Sequence, residues 1–317
     1  MLPRLLERIC CPSCQSPLAS ESASQLRCPT CSRTVAVRDG VPRFVVVPKD
    51  ETAQRTQASF GYEWTHFNDW TLSGDTNFQD YFKGVDFAAL RDRLVLDAGC
   101  GMGRHARLVA EHAGHVIAAD FSAAVDQAAR NLAGLPNVDC VQADLLELPV
   151  PDASIDYLYS MGVLHHLADP QAALARLVRK VKPGGRLRIY LYWKRHGWKG
   201  RVLSLVTLAR RLTTRLPFGL LRAFCWLLSV VLWVGVILPY RALTAVGVTA
   251  PESWPLFVYT KYPFRILYND QFDRFSAPIE FRYDPDEVKR LMEAVGLEDV
   301  RITASFGWIG EGVRPVR

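Results

Sequence analysis

At 317 residues and 49% hydrophobic content, the chain has room for one domain of ~200 residues plus additions, and enough apolar side chain for a core. Met1–Ile9 carries Arg4, Glu7 and Arg8 and no apolar run, so no secretory leader is expected there, and the eight cysteines are expected as metal ligands or free thiols rather than a disulfide framework. The formal charge of +6 is local, because nine Lys/Arg and no Asp/Glu lie within Lys194–Pro251; outside that segment and the first 49 residues, 22 Lys/Arg face 29 Asp/Glu, a poor electrostatic footprint for nucleic acid.

Two knuckles open the chain, Cys11-Pro-Ser-Cys14 and Cys28-Pro-Thr-Cys31, separated by 13 residues. Such a pair of turns sets four thiolates tetrahedrally around one Zn²⁺, and the closed ligand shell makes the site structural. A stretch this short has little core of its own, so the metal is expected to supply much of its stability. A redox reading of the two Cys-x-x-Cys turns lacks the surrounding βαβ unit. Cys10 is a spare thiol beside Cys11, and Val45–Thr56 reads as a polar linker.

The run LVLDAGCGMGRH (Leu94–His105) predicts a buried strand ending at Asp97, a turn with Gly99, Gly101 and Gly103, and then a helix. Glycine lets backbone pass close to a ligand, and the helix start offers free N–H groups. The third glycine of a dinucleotide fingerprint would fall at Arg104, which disfavours NAD and FAD. His115–Ala119 predicts a second strand ending at Asp120, about 20 residues past the turn, where a carboxylate is placed to accept both ribose hydroxyls. Val138–Ala143 predicts a third ending at Asp144, and Ser154–Leu167 a fourth strand and loop holding His165 and His166. Leu177–Tyr190 then reads as a helix end, a Pro-Gly-Gly turn and a fifth strand. Strands alternating with helices in this way predict a doubly wound α/β sheet, with ligands at the carboxyl edge.

A segment of about 70 residues follows. Trp198–Arg215 places Val202, Leu205, Val206, Ala209 and Leu212 at helical spacing among five cations, a basic amphipathic helix. Ala223–Tyr240 is 18 residues without a charge, bracketed by Arg222 and Arg241 and ended by Pro239. At ~1.5 Å per residue it sits at the lower limit for crossing a ~30 Å hydrocarbon core. A transmembrane helix, a membrane-dipping hairpin and a lid over the site are the readings open. The chain must return to complete its sheet on the same side, which favours an interfacial hairpin or a lid over a lone span. Uncharged apolar residues beside unopposed cations suit an anionic leaflet. Beyond the insertion, Tyr268–Pro278 offers Asp273 and Arg274, Asp284 starts a helix that Gly296 ends, and Asp299–Ala304 leaves 13 residues for a last strand, expected to be short.

The ordered set Asp97-x-Gly99-x-Gly101-x-Gly103, Asp120, Asp144 to Pro149, the His165-His166-Leu167 loop and the Pro-Gly-Gly turn resembles the class I S-adenosylmethionine (SAM) methyltransferases, in particular the small-molecule group called type 11. The resemblance covers about 60–192 and resumes near Asp284. It implies a Rossmann-like sheet in which Asp97, Gly99, Gly101 and Gly103 face the methionine end of SAM, Asp120 takes the ribose, and Asp144 and Leu145 take the adenine. Phe60–Trp64 resembles the family's amino-terminal lid, with Tyr62 closing over the methionine. His165, His166 and Asp273 are the candidates for acceptor-side catalysis. The cysteine segment, with Arg38-Asp39-Gly40-Val41-Pro42, resembles the small zinc-ribbon proteins that bind and activate methyltransferases, here fused in cis.

Four parts are therefore expected: a zinc ribbon (1–49, ligands Cys11, Cys14, Cys28 and Cys31), a SAM-binding core (50–193), a helical hydrophobic insertion (194–265) and a carboxyl-terminal completion of the core (266–317). The expected activity is methyl transfer from SAM to a hydrophobic or lipid-like acceptor, in the cytoplasm at the inner face of a membrane. An RNA methyltransferase docking through the ribbon and a non-catalytic SAM-binding scaffold are the alternatives.

Overall fold

The computed structural model describes residues 2–45, 50–67, 74–248, 251 and 254–316. Its centre is five parallel strands, β5 (Leu94–Ala98), β6 (His115–Asp120), β7 (Val138–Gln142), β8 (Ile155–Met161) and β9 (Val181–Leu191), in the order β7-β6-β5-β8-β9. These strands are apolar on both faces because helices cover both. β6 is buried at every position, and α4 (Arg104–Ala110), α5 (Ala124–Leu132) and α6 (Pro170–Lys180) lie in the crossovers. Strand order reverses beside β5, so the carboxyl ends of β5 and β8 open the crevice where such sheets bind ligands.

The carboxyl-terminal hairpin is fuller than the sequence suggests. β10 (Glu298–Ala304) has seven residues and β11 (Trp308–Val313) six, and β11 pairs antiparallel with β9 from Trp308↔Leu191 to Val313↔Arg186. Glycines at alternate positions, Gly310 and Gly312, hide the strand from an apolar-periodicity reading, since a Cβ on Gly310 would meet Met292 Sδ at 2.4 Å.

At the opposite edge the ribbon strands β1 (Ala19–Ser22), β2 (Gln25–Arg27), β3 (Thr34–Arg38) and β4 (Val41–Arg43) continue the same sheet. β4 pairs parallel with β7 at Arg43↔Gln142, and the Phe44 N–H donates to the Gln142 carbonyl at 2.8 Å. The Cys10 N–H adds a second tie to Pro149 O at 2.9 Å. The first helix, α1 (Leu2–Leu6), sends Leu5 into the core shared with β3 and the loop after β7.

Residues 46–49 of the expected linker lie outside the described residues; its later part is helix. Asp50 caps α2 (Glu51–His66) by accepting the Ala53 N–H at 2.7 Å. The residues α2 buries are Thr56, Ser59, Gly61 and Glu63, so a search for apolar periodicity passes it by. A short α3 (Gly74–Tyr81) leads into the sheet.

The described residues of the insertion are mostly helical. After α7 (Gly197–Thr213) comes a continuous 28-residue helix, Phe218–Ala245, made of α8 (Phe218–Leu232), a π-turn (Trp233–Ile237) and α9 (Leu238–Ala245). Pro239 therefore does not end the helix. The π-turn, closed by the Leu238 N–H on Trp233 O, shifts the hydrogen-bond register just ahead of the ring that cannot donate. α8 lays Leu221 and Cys225 on Phe272 and Phe275 of α10 (Phe264–Ser276), and α11 (Pro285–Glu293) returns the chain to the sheet with a capping box at Asp284. Phe218–Ala245 is long and apolar enough to cross a membrane by length and composition, and 22% of its most apolar 18-residue window is buried.

Candidate active site

A cavity of about 1170 Å³ opens at the carboxyl ends of β5–β9. Strand-end residues Gly99, Gly101, Asp120, Asp144, Leu145 and His166 form one wall, and α2 adds Phe60, Glu63 and Trp64. The insertion closes the other side with Trp198, Val202, Leu203 and Val206 of α7 and with Leu256, Phe257 and Tyr259. From α10 come Asp270, Asp273 and Arg274.

The glycine turn has a reason different from the expected one. Gly99, Gly101 and Gly103 all have positive φ (92°, 53° and 85°), the region that favours glycine. A Cβ on Gly99 would meet Val163 Cγ2 at 2.3 Å and one on Gly103 would meet Leu132 Cδ1 at 2.8 Å, so internal packing requires both. Gly103 is not on the cavity wall. Gly99 and Gly101 line the cavity, and Gly101 faces the Trp64 indole, whose Nε1 would lie 3.2 Å from an added Cβ.

Asp120 is tied in three ways. Its Oδ2 accepts the Gly101 N–H at 2.8 Å, and its Oδ1 accepts the Ser122 N–H at 2.8 Å and the Ser122 hydroxyl at 2.7 Å. A carboxylate has about four acceptor positions, so about one is left for a ligand hydroxyl where the sequence reading gave it two. Asp144 caps a 3₁₀ turn over Leu145–Glu147 by accepting the Leu146 N–H at 2.9 Å, and burial pushes both carboxyls above their ordinary range. Leu145 is buried under this turn and lines the cavity.

Asp97 lies beneath the turn rather than on the wall. It is 1% exposed, its Oδ2 has no hydrogen-bond partner among the described residues, and burial pushes it up to about 8. His165 is also withdrawn. It is fully buried among His166 and Tyr192, 4.3 and 4.0 Å between ring centroids; neither ring nitrogen has a partner among the described residues, and burial holds it well below the usual imidazole range. His166 does reach the cavity. Its Nδ1 donates to Ile279 O at 2.7 Å, which orients the ring at the cavity wall.

Tyr62 is not on the wall either. It stacks on His66, Phe218 and Phe272, an aromatic seam that binds α2 to the insertion. The α2 residues on the wall are Ala53, Thr56, Gln57, Phe60, Glu63 and Trp64, one face at helical spacing, with Tyr62 on another. That register was available in FGYEW and would have pointed to Glu63. Asp273 lines the cavity and accepts the Tyr192 hydroxyl at 3.0 Å; Asp270, unmarked in the sequence reading, accepts that of Tyr259 at 2.7 Å.

About the ribbon, the four thiols of Cys11, Cys14, Cys28 and Cys31 lie within 4.8 Å of one another, with Cys11–Cys31 at 3.5 Å and Cys14–Cys28 at 3.4 Å. Cys10 is set aside, its thiol directed at Gln15 Oε1 at 3.6 Å.

Sequence comparison now adds the family. Residues 96–189 match the family model described as a methyltransferase domain. A Mycolicibacterium smegmatis protein named as a probable SAM-dependent methyltransferase is 41% identical over 93 residues, 29% of this chain and 35% of that protein. A Clavibacter sepedonicus demethylmenaquinone methyltransferase is 38% identical over 103 residues, 32% of this chain and 42% of that one. The chain thus covers less than half the length of either relative. Among solved structures, a chain of the Haloferax volcanii complex between the Trm112 methyltransferase activator and a methyltransferase aligns over 81% of this chain and 97% of its own, at 16% identity and a TM-score of 0.46. Together, the doubly wound sheet and the match over 96–189 identify that segment as a SAM-type methyltransferase domain.

Proposed function

We propose that the protein transfers a methyl group from SAM to an acceptor with an apolar body. The observation that carries this reading is the single cavity walled on one side by the strand ends of the methyltransferase domain and on the other by apolar residues of the insertion. At about 1170 Å³ it exceeds the ~300–1,000 Å³ usual for one small molecule, so cofactor and acceptor fit together.

The residues present suit SAM. Gly99 to Gly101 border the cavity, Asp120 keeps an acceptor position for a ribose hydroxyl, and Asp144 and Leu145, to which the family resemblance gives the adenine, line the same cavity. When bound, SAM supplies a methyl group already activated on sulfonium. The chain's own task is to hold an acceptor in line and keep water out. His166 Nε2 is the group positioned to take a proton from the acceptor, and Asp97 and Gly103 support the turn from below.

Peripheral membrane binding belongs to the same reading. Leu205, Leu208 and Leu212 of α7 and Leu227, Val231 and Val234 of the long helix are exposed, next to Arg201, Arg211, Arg215 and Arg222. An anionic lipid surface matches that mixture. The four thiols of the ribbon would hold a structural Zn²⁺.

The test is transfer of labelled methyl from SAM into separated lipid and RNA fractions of an extract, comparing wild type with Asp120→Ala. Label in the lipid fraction, lost in the variant, is expected. Label in RNA would favour docking of nucleic acid through the ribbon, and label in neither would leave a SAM-binding scaffold.

A further inference from the structure

Large apolar side chains gather where the cavity meets the surface. Leu146, Trp198, Val202, Trp254 and Phe306 line it and are also 39–55% exposed. They come from the 3₁₀ turn after β7, from α7, from the segment ahead of α10 and from the β10–β11 turn, four separate stretches of the chain. Soluble proteins seldom leave side chains of this size and kind together in water without a use for them. The exposed charges that line the cavity balance one another. Asp50 and Asp169 each cap a helix, accepting the Ala53 N–H at 2.7 Å and the Ala172 N–H at 2.9 Å, and Arg195 and Lys261 stand on the same rim.

α7 connects this rim to the outside. Trp198, Val202, Leu205 and Leu212 fall on one stripe of it at helical spacing. The first two line the cavity; Leu205 and Leu212, 67% and 71% exposed, do not. The stripe therefore runs from the mouth onto the outer surface. There it adjoins the long helix, because Val206 and Ala209 of α7 pack in one cluster with Leu221 and Leu228 of that helix and with Phe272 and Phe275 of α10. Outside the cluster, Leu220, Leu227, Val231 and Val234 of the long helix are exposed. The cations among them are Arg201, Arg211, Arg215 and Arg222, all exposed and with no ion-pair partner among the described residues. Neighbouring acids are engaged elsewhere: Glu280 holds Arg210 on the buried side, and Asp284 and Glu287 hold Lys194 ahead of the helix.

We propose that the mouth of the cavity rests on an anionic lipid bilayer, with Trp198 and Val202 at the contact, and that the acceptor enters from the bilayer past these two residues rather than from water. An anionic leaflet answers both halves of this surface. It takes up the apolar stripe, and it supplies the negative charge that the four arginines lack. A tryptophan at the boundary suits the zone between headgroups and acyl chains. An acceptor with an apolar body is concentrated in the bilayer, and a mouth that opens there lets it pass to Leu203 and Val206 without exposing that body to water. The route deepens the methyltransferase reading and rests on it for the word acceptor, whereas the docking stands on the surface alone.

The experiment is tryptophan fluorescence of the full-length protein on vesicles of acyl-brominated phosphatidylcholine, with and without phosphatidylglycerol. Each arginine near an anionic surface strengthens binding about fivefold, so phosphatidylglycerol is expected to tighten binding at least about tenfold. Arg201→Gln combined with Arg211→Gln should lose most of that gain. Bromine quenches only rings that reach the bilayer, and Trp198→Phe is expected to remove a share of the quenching. Quenching fully retained in Trp198→Phe overturns the proposal, even where Trp226→Phe on the long helix reduces it; the protein would then bind lipid with its mouth facing water. No binding to phosphatidylglycerol vesicles overturns it too. Leu205→Asp, on the stripe but off the cavity wall, is the second variant. It is expected to abolish vesicle binding and to leave S-adenosylhomocysteine affinity unchanged, and vesicle binding that survives it overturns the proposal. S-adenosylhomocysteine titration of the wild type without vesicles judges the methyltransferase reading separately, since its failure sinks that reading and leaves the docking result standing.

Discussion

The carboxylate of Asp120, at the end of β6, accepts the backbone N–H of Gly101, in the turn after β5, at 2.8 Å. One side chain thus holds the tips of two neighbouring strands in register at the cavity wall. With the two bonds from Ser122 it satisfies three donors that would otherwise point at the cofactor site. Asp120→Ala is expected to cost about 3 kcal/mol in urea unfolding, at ~1 kcal/mol or more per lost bond to a charged group. Ser122→Ala, which removes only the hydroxyl, is expected to cost about 1 kcal/mol. S-adenosylhomocysteine affinity should fall at least about tenfold in Asp120→Ala and change little in Ser122→Ala. Equal losses in both would mean that Asp120 only caps the turn.

The glycines of the turn should not be equivalent. Gly99→Ala forces a methyl to 2.3 Å from Val163 and keeps a φ of 92° that L residues avoid. Overpacking at ~1–3 kcal/mol and left-handed strain at ~1–2 kcal/mol predict a loss of about 3 kcal/mol. Gly101→Ala has a φ near the left-handed helical well and meets only the edge of a side chain, Trp64. It should fold with a smaller loss and be read mainly as weaker cofactor binding. Comparing the two by thermal unfolding and by S-adenosylhomocysteine titration separates strain from ligand contact.

These residues also mark what could be read from sequence. The strand ends near Asp97, Asp120 and Asp144 follow from short apolar runs with fixed punctuation; Asp120 and Asp144 line the cavity, whereas Asp97 lies buried beneath the turn. Which side chains reach the cavity depends on register about a helix or a 3₁₀ turn. Adjacent residues diverge there, so His166 lines the wall while His165 is buried, and Glu63 lines it while Tyr62 does not. Long-range pairings were further out of reach. Nothing local in Arg43 or Gln142 announces that the ribbon extends the methyltransferase sheet. α2 escapes an apolar-periodicity reading for a third reason: the face it buries, largely against α5 and α10, carries Thr56, Ser59, Gly61 and Glu63.

The lid is anchored by an ion pair. Arg210 of α7 donates to Glu280 at 2.8 Å and to the Arg274 carbonyl at 2.9 Å, and its side chain and that of Glu280 are 5% and 3% exposed. Removing Arg210 leaves Glu280 its second partner, Arg282, at 2.8 Å, so the loss is smaller than that of a fully stranded charge, about 2 kcal/mol. Arg210→Met should therefore destabilise the protein by about that amount, and limited proteolysis should cut first near the α7–α8 junction at Thr214–Pro217. Although burial opposes ionisation of Glu280, Arg282 and Arg210 hold it below the ordinary range. Its stabilising share is present above the unfolded pKa and is lost as pH falls through the folded one, so the same junction should open on acidification. A junction that stays resistant in Arg210→Met would show that apolar packing alone holds the lid.

Asp97 predicts a slope of the opposite sign. Burial raises it from 3.8 to about 8, so between those values the folded state binds a proton that the unfolded state has released. Stability then falls as pH rises across that window and is flat beyond it. Asp97→Asn mimics the protonated carboxyl and should flatten the profile of unfolding free energy from pH 5 to about 8, raising stability most at the alkaline end. A profile with the same slope in wild type and variant would place the titration elsewhere.

The ribbon ties metal content to the sheet edge. Its four thiols converge on one point, and the adjoining strand holds β7 through Phe44 N–H to Gln142 O at 2.8 Å, while Arg43 pairs with Asp126 of α5. A closed four-thiolate site supplies much of the stability of so small a unit. The purified protein should therefore carry one equivalent of Zn²⁺ by mass spectrometry, and Cys28→Ser should carry far less. Hydrogen exchange then reports the coupling. The Phe44 amide should be protected in metal-loaded protein and exchange rapidly after chelation, while amides of β5 and β6 keep their protection because neither strand pairs with the ribbon. A Phe44 amide that stays protected after complete zinc removal would mean that the sheet edge, not the metal, keeps the ribbon folded.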